Sequence, residues 1–324
     1  MEKLRFSADY ITMLRSAMCR PEARAFALSR LEISLGSIGI DPICRREILQ
    51  FLMTFIRDGE IYEYELVSAI LNFERRWRTH LDRVYLRDYE STRWEFAQRF
   101  VFSKLPSSLG RCLDVGCGRG CITASIVQHG IAEEAVGIDE TDFSNEWRER
   151  LANSHTTANF QHIKVDNITR WALTNRRRFD AIILFYVLHH SIDYWVSKTL
   201  HSLLLLLKND GVLVVLEDAF VEGVPPTEDN NRLYPQWENW TNMTQSYYLS
   251  VGYDIQVIMD FVAVQLLAGF KDVKMPCNYK TSKEWIRQFS CLGYDVSSVE
   301  NIGFPAHRDI DVPQALFVLK KQGF

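Results

Sequence analysis

The chain of 324 residues lacks an excess of basic charge: 37 Lys and Arg stand against 41 Asp and Glu, a net charge of −4. A broad phosphate-binding footprint of the kind that nucleic-acid partners require is therefore not expected. No apolar stretch approaches the roughly 20 residues that span a bilayer, so no membrane association is expected. Residues 1–10 hold two basic residues but no continuous apolar core, which argues against a secretory signal. Seven cysteines, at 19, 44, 112, 117, 121, 277 and 291, form no C-x-x-C pair and no even-numbered disulfide framework. A reducing cytoplasm is the expected setting. Glycine is scarce at first, with Gly36, Gly39 and Gly59 the three in residues 1–105.

What those residues do contain is helical pattern. Pro21 and Pro42 are placed to open helices, and Leu66, Ile70, Phe73, Trp77, Leu81 and Tyr85 recur near a helical period. Between Leu71 and Lys104 eight basic residues face five acidic ones, a mild excess read as a solvated helix face. From Gly110 the texture changes. Short apolar runs at 111–115, 135–138, 160–165, 181–185 and 212–216 alternate with segments long enough for helices, among them 194–208, which Asn209-Asp210-Gly211 is expected to stop. Such alternation predicts a parallel sheet covered on both faces. Residues 219–283 break the rhythm with a Pro-Pro loop and an aromatic-rich, helical-looking insertion that includes Trp237, Trp240, Tyr247, Tyr248, Tyr253, Met259 and Phe261. An insertion of that length reads as a lid. Runs at 294–302 and 315–319 are expected to pair antiparallel.

The chemistry concentrates in Cys112-Leu113-Asp114-Val115-Gly116-Cys117-Gly118-Arg119-Gly120-Cys121, where a strand ends at an acid, three glycines alternate and a helix follows. Glycines permit a sharp bend and close ligand approach, and the helix start presents free N–H groups. The spacing is G-x-G-x-G, not the G-x-G-x-x-G of a pyrophosphate site, and Asp114 would repel a diphosphate while suiting a cationic or hydroxyl-rich ligand. Asp139, in Val136-Gly137-Ile138-Asp139-Glu140, follows Asp114 by 25 positions, near the interval at which doubly wound folds set an acid against a ribose diol. Asp166-Asn167 closes the third strand, where a side chain would suit an adenine's exocyclic amine.

In these motifs the chain resembles the class I S-adenosylmethionine-dependent methyltransferases. Leu113 to Gly120 matches the family's first motif, Val136 to Asp139 the ribose motif and Lys164-Val165-Asp166-Asn167 the adenine motif. Asp180-Ala181-Ile182-Ile183-Leu184-Phe185 with Val187-Leu188-His189-His190 matches the fourth motif, and Leu207 to Leu213 resembles the usual turn into the fifth strand, with Asn209-Asp210 where Pro-Gly is common. The resemblance covers roughly residues 105–220. It takes in the final strand pair loosely and implies a doubly wound, mostly parallel seven-stranded α/β sheet with an antiparallel last strand. The helical N-terminal region or cap (1–105) and the helical insertion (about 219–283) after the fifth strand lie outside the resemblance and are read from their own pattern, so the methyltransferase domain is expected over 106–324 with that insertion.

The implied cofactor is S-adenosyl-L-methionine, converted to S-adenosyl-L-homocysteine. Its expected contacts are Asp114, Gly116, Cys117, Gly118, Gly120, Asp139, Glu140, Asp166, Asn167 and Phe185, with Arg93 and Tyr89 as candidates for the donor's carboxylate, which an arginine fork suits. The fourth motif lacks the Asn/Asp-Pro-Pro-Tyr/Phe signature of base methylases and resembles that of small-molecule methylases. Methyl transfer needs a nucleophile aligned with the methyl group and, for O–H or N–H acceptors, a proton acceptor. His189, His190, Glu217 and Asp218, just past the fourth and fifth strands, are the catalytic candidates. His307 is a surface-loop histidine by expectation, Cys117 and Cys121 are small packing residues, and no metal is expected. The expected activity is methylation of a small molecule, an amino acid or secondary metabolite, by a monomer or homodimer without nucleic-acid or membrane partners. The alternatives are a tRNA or protein methyltransferase and a non-catalytic donor-binding subunit.

Overall fold

The computed structural model describes residues 8–57, 62–86, 93–145, 147–148, 159–175, 177–220, 245–270, 273–303 and 314–323. The chain divides into two compact units, each assembled from separate stretches. One comprises Met1–Thr92, Asp218–Thr281 and Ile302–Gln314; the other comprises Arg93–Glu217, Ser282–Asn301 and Ala315–Phe324.

The first unit is helical. Its N-terminal part holds α1 (Ala8–Cys19), α2 (Pro21–Ser37), α3 (Pro42–Gln50) and α4 (Glu63–Leu81), with wider π-type turns at Phe51–Arg57 and Asp82–Leu86. Pro21 and Pro42 each sit at a helix start, where their missing N–H costs nothing. Asp41 caps α3 by accepting from the N–H groups of Ile43 and Cys44. Tyr10, Leu14, Ala17 and Met18 line one stripe of α1, and Ala23, Ala27, Leu31 and Leu35 line one of α2. These stripes have the period of a helix face turned to a core. On α4 the predicted residues Leu66, Ile70, Phe73 and Leu81 are buried; Trp77 is half-buried and donates its Nε1–H to Glu47 (2.8 Å).

The same core takes in Val251, Ile255, Ile258, Met259, Phe261 and Val262 from the later stretch, so the N-terminal helices and the segment after the fifth strand share one interior. Trp237 and Trp240 lie outside the described residues, as do the side chains of Tyr247 and Tyr248.

The second unit carries β1 (Leu109–Val115), α5 (Cys121–Gln128), β2 (Ala132–Asp139), β3 (Asn159–Lys164), α6 (Ile168–Thr174), β4 (Phe179–Phe185), α7 (Asp193–Leu206) and β5 (Leu207–Phe220) up to Glu217. The end of β5, α8 (Gln245–Asp260) and β6 (Lys280–Thr281) belong to the first unit, and α9 (Ser282–Cys291) with most of β7 (Tyr294–Gly303) and β8 (Gln314–Lys321) to the second. The strand order is β3-β2-β1-β4-β5-β8-β7, and β1 pairs in parallel with both β2 and β4. Strand order reverses beside β1, which makes the carboxyl ends of β1 and β4 a switch point of the doubly wound sheet.

The path runs through the seven expected strands, and the two-residue β6 adds an eighth off it by pairing with the end of β5. One detail differs from expectation. Asn209-Asp210-Gly211 does not stop α7, which ends at Leu206; the triplet lies within β5, where pairing jumps from Phe179↔Leu207 to Ala181↔Val212 and the irregularity absorbs the turn.

Register is held by specific contacts. Arg111 makes a two-pronged ion pair with Glu134 (2.7 and 2.9 Å) across the β1–β2 pair. Asp180 accepts the Arg111 backbone N–H (2.8 Å) and the Lys208 ammonium (2.5 Å), tying the starts of β1, β4 and β5. Trp285 and Phe289 of α9 stack at 5.8 Å, and Phe289 meets Phe317 of β8 edge-on. Tyr294 donates its hydroxyl to the Leu200 carbonyl (2.6 Å), anchoring β7 to α7. Among the described residues no helix is long and apolar enough to cross a membrane.

Candidate functional site: a donor cradle at the carboxyl ends of β1, β2 and β4

The glycine stretch forms the loop from β1 to α5. Gly116, Gly118 and Gly120 have φ of +72°, +50° and +77°, in the left-handed region. A Cβ on Gly120 would lie 2.3 Å from the Trp147 indole, and one on Gly116 would lie 2.5 Å from a Val187 methyl, so side chains are barred there. Gly118 differs, because nothing lies within 4 Å of where its Cβ would be. The loop is pinned from β2, since the N–H groups of Gly116 (2.8 Å) and Cys117 (3.2 Å) both bond the Ile138 carbonyl. Cys117 packs its thiol against Gly137, where an added Cβ would stand 2.8 Å from the sulfur. Cys117 thus shapes the loop by packing, and burial pushes its thiol pKa up.

Asp114 is 3% exposed and accepts a hydrogen bond from the Thr123 hydroxyl of α5. Burial pushes its pKa up to about 7; the Thr123 bond opposes the shift and the neighbouring Asp139 charge adds to it. A buried acid balanced at neutral pH gains its charge when a cation is at hand, which fits a cationic ligand and not a phosphate.

Asp139, at the end of β2, accepts the Gly118 N–H at 2.9 Å and the Thr141 N–H at 2.8 Å. Each oxygen keeps a further lone pair, since a carboxylate offers about four acceptor sites. Glu140 follows it and is exposed. Asp166 is largely exposed and pairs with Lys164 at 3.3 Å, while Asn167 caps α6 by accepting the Arg170 N–H at 2.9 Å. The side-chain oxygen of Asn167 therefore has a structural duty of its own.

On the neighbouring strand Phe185 is half-buried and is followed by Tyr186, a non-glycine residue at φ +57°. Its ring carries the Arg93 guanidinium at 4.4 Å, so Arg93 belongs to this end of the sheet. Tyr89 lies outside the described residues.

Beyond Tyr186 a short 3-10 turn, Leu188–His190, places His189 against Glu217 of β5. Glu217 is fully buried: one oxygen accepts the Leu188 N–H (2.7 Å) and the other meets His189 Nδ1. The His190 ring lies 4.0 Å from that of His189 and is half-buried. Asp218, next along β5, points to the opposite face of the strand from Glu217 and is 4% exposed. His307 lies outside the described residues.

Three partners were not legible as site residues. Trp147 is 2% exposed, donates its Nε1–H to the Gly118 carbonyl (3.0 Å) and fills the space that Gly120 leaves. Its ring also lies 5.2 Å from that of His162. Thr123 and Gly137 serve the same loop by the contacts above. The signal for Gly137 was its position one strand over from the loop; Trp147 sits in no motif.

A methyltransferase-domain family model matches residues 85–259, more than half of the chain. The chain belongs to that family. With the switch-point cradle and its buried acid, it is a class I, S-adenosylmethionine-dependent methyltransferase. Several solved structures are similar to the chain at low identity. The mitomycin 7-O-methyltransferase is 14% identical, with 88% of this chain and 74% of that chain covered and a TM-score of 0.47. The Burkholderia thailandensis 1,6-didemethyltoxoflavin-N1-methyltransferase, solved with its substrate and S-adenosylhomocysteine, is 14% identical over 82% of this chain and 93% of that one, at a TM-score of 0.46. A mycolic acid cyclopropane synthase, solved with S-adenosylhomocysteine, is 15% identical over 70% and 83%, at 0.45. No match was found among curated protein sequences.

The residues of this loop suit such a donor chemically: Gly118 leaves backbone open, Asp139 keeps acceptor capacity that would suit a diol, and the buried Asp114 would suit a cationic centre. When bound, the donor supplies an electrophilic methyl group on a sulfonium.

Proposed function

We propose that this methyltransferase methylates an O–H or N–H group of a small-molecule acceptor, with His189 as the proton acceptor and Glu217 as the residue that positions it. The observation that carries the reading is the buried His189–Glu217 pair at the carboxyl ends of β4 and β5. With Nδ1–H directed to the carboxylate, the neutral imidazole holds its basic lone pair on Nε2. Glu217 also receives the Leu188 N–H, so its orientation is fixed from two sides. A histidine oriented in this way takes a proton as the acceptor attacks, and the developing imidazolium is stabilised by the carboxylate beside it.

The donor's contacts in this reading come from Asp114, Gly116, Cys117, Gly118, Gly120, Asp139, Glu140, Asp166, Phe185 and Arg93. Asp139 takes the ribose hydroxyls, Asp166 the adenine amine and Arg93 the carboxylate. His190 backs His189 by ring contact and Asp218 faces away from the pair. The net charge of −4 supports a small acceptor over a polyanionic one.

The test supplies the protein with methyl-labelled donor and a mixture of small metabolites, total RNA and total protein, then separates products by size. Label is expected in the low-mass fraction and is expected to be lost in His189→Ala while donor binding persists. Label in RNA or protein would overturn the small-molecule reading, and binding without any transfer would overturn the enzymatic one.

A further inference from the structure

The sheet unit holds a cavity that the donor site does not use. Register sets Leu113, Val136 and Gln161 side by side on one face of β1–β3, with Arg111 two residues before Leu113 and Ile163 two after Gln161. Over this face lies α6, whose seven residues make only about two turns. Between the two is a cavity of about 400 Å³, lined by the apolar side chains of Val136, Ile163 and Phe179 and by Trp171 of α6. Its polar lining is unbalanced. Glu134 is held by Arg111 (2.7 and 2.9 Å) and reached by Arg177 (3.4 Å), so two guanidinium groups share one carboxylate. Asp180 accepts the Arg111 backbone N–H but is itself paired with Lys208. Three cations against two carboxylates leave a single positive charge. Asn175 Oδ1 is taken by the Arg177 N–H (3.0 Å). Donors remain: among the described residues Arg111 Nη1, Arg177 Nε and Nη2, the Trp171 indole N–H and the Gln161 amide have no hydrogen-bond partner.

We propose that this cavity is a second ligand site, for a flat aromatic monocarboxylate whose ring lies against Trp171 and the apolar lining and whose carboxylate meets Arg177 and the neighbouring N–H donors. A carboxylate answers the surplus cation and the spare donors together, and hydrogen bonds to a charged acceptor are the stronger kind. One negative charge matches what the lining leaves over, and a second would be set unpaired against apolar side chains. The volume is that of an ordinary small-molecule site, with apolar lining and a few polar groups to fix orientation. None of these residues is assigned to the donor, which is held at the carboxyl ends of the strands, so the site does not depend on which acceptor is methylated.

The experiment uses the full chain and two probes of one shape, 2-naphthoate and the neutral 2-naphthamide. Calorimetric titration of the wild-type protein should show the acid binding about tenfold more tightly than the amide. Arg177 is 66% exposed, so Arg177→Gln removes its charge without disturbing packing. That variant should bind the two probes equally, with S-adenosylhomocysteine affinity unchanged as proof that the chain is folded. Trp171→Leu, which removes the flat indole, should weaken both probes about tenfold, again with S-adenosylhomocysteine affinity unchanged. Saturating S-adenosylhomocysteine should leave 2-naphthoate binding in place, which separates this cavity from the donor cradle. Failure of the acid to bind, equal binding of acid and amide by the wild type, a preference that survives in Arg177→Gln, or displacement of the acid by S-adenosylhomocysteine would overturn the site.

Discussion

Asp114→Asn separates what the buried acid costs the fold from what it does for the donor. Its pKa in the folded chain is about 7, raised above the ordinary carboxylate value chiefly by burial. The folded state thus holds this proton more tightly than the unfolded state does. The residue's favourable contribution is complete below about pH 4 and is lost as pH rises through about 7. Three pH units at 1.36 kcal/mol each set a ceiling of about 4 kcal/mol on that loss.

Asparagine resembles the protonated acid at every pH and keeps an acceptor for the Thr123 hydroxyl. It should therefore leave stability unchanged at pH 4 and raise it at pH 8, by about 2 kcal/mol once partial relaxation is allowed. For a unit of this size that is a rise in Tm of about 4–8 °C. Donor binding should move the other way. A cationic donor selects the ionised acid, so the wild type should bind it about tenfold more weakly at pH 6 than at pH 8, because a group titrating near 7 is mostly protonated at the lower pH. The variant should show weaker binding with no such pH dependence. Thermal unfolding at both ends of the range, with calorimetric titration at pH 6 and 8, reads all of this. A Tm gain of equal size at pH 4 and pH 8, or full donor affinity in Asp114→Asn, would refute the reasoning.

Gly120→Ala forces a Cβ into the Trp147 indole at a φ of +77°, and should cost about 2 kcal/mol in thermal unfolding and weaken the donor; the less bulky Trp147→Ala partner change should recover part of the stability in the double variant. Glu217→Gln keeps an acceptor for the Leu188 N–H but removes the charge beside His189. Its kcat should fall by about a hundredfold or more with an altered pH profile, while donor affinity measured by calorimetry stays within about twofold. Trp285→Ala empties a fully buried site beside Phe289 and should destabilise the sheet unit by about 4 kcal/mol in denaturant unfolding.

The cradle was legible because its signals are local. Alternate glycines after an apolar run dictate a strand, a left-handed loop and a helix start without help from the rest of the chain, and Asp139 follows at a strand end by the same local logic. What was not legible depends on contacts between distant residues. Trp147 matters because its indole reaches the Gly118 carbonyl 29 positions away, and no sequence pattern marks that meeting. The Asn209-Asp210-Gly211 triplet carries turn chemistry, yet pairing with β4 on both sides of it draws it into a strand. β6 has two residues, too few for any periodicity to show. The common core of α1, α2, α4 and α8 joins residues near position 14 to others near 258, so burial on α8, including that of Asp254 and Asp260, reflects packing against distant helices that its own sequence does not state.

The central claim is that the loop from β1 to α5, with Asp139 beside it, holds the methyl donor. Calorimetric titration of S-adenosylhomocysteine into the wild type and Asp139→Ala tests it most directly. The carboxylate is assigned the ribose diol and also holds the Gly118 and Thr141 N–H groups, so its loss should weaken binding about a hundredfold. Binding of equal strength in the two proteins would contradict the account.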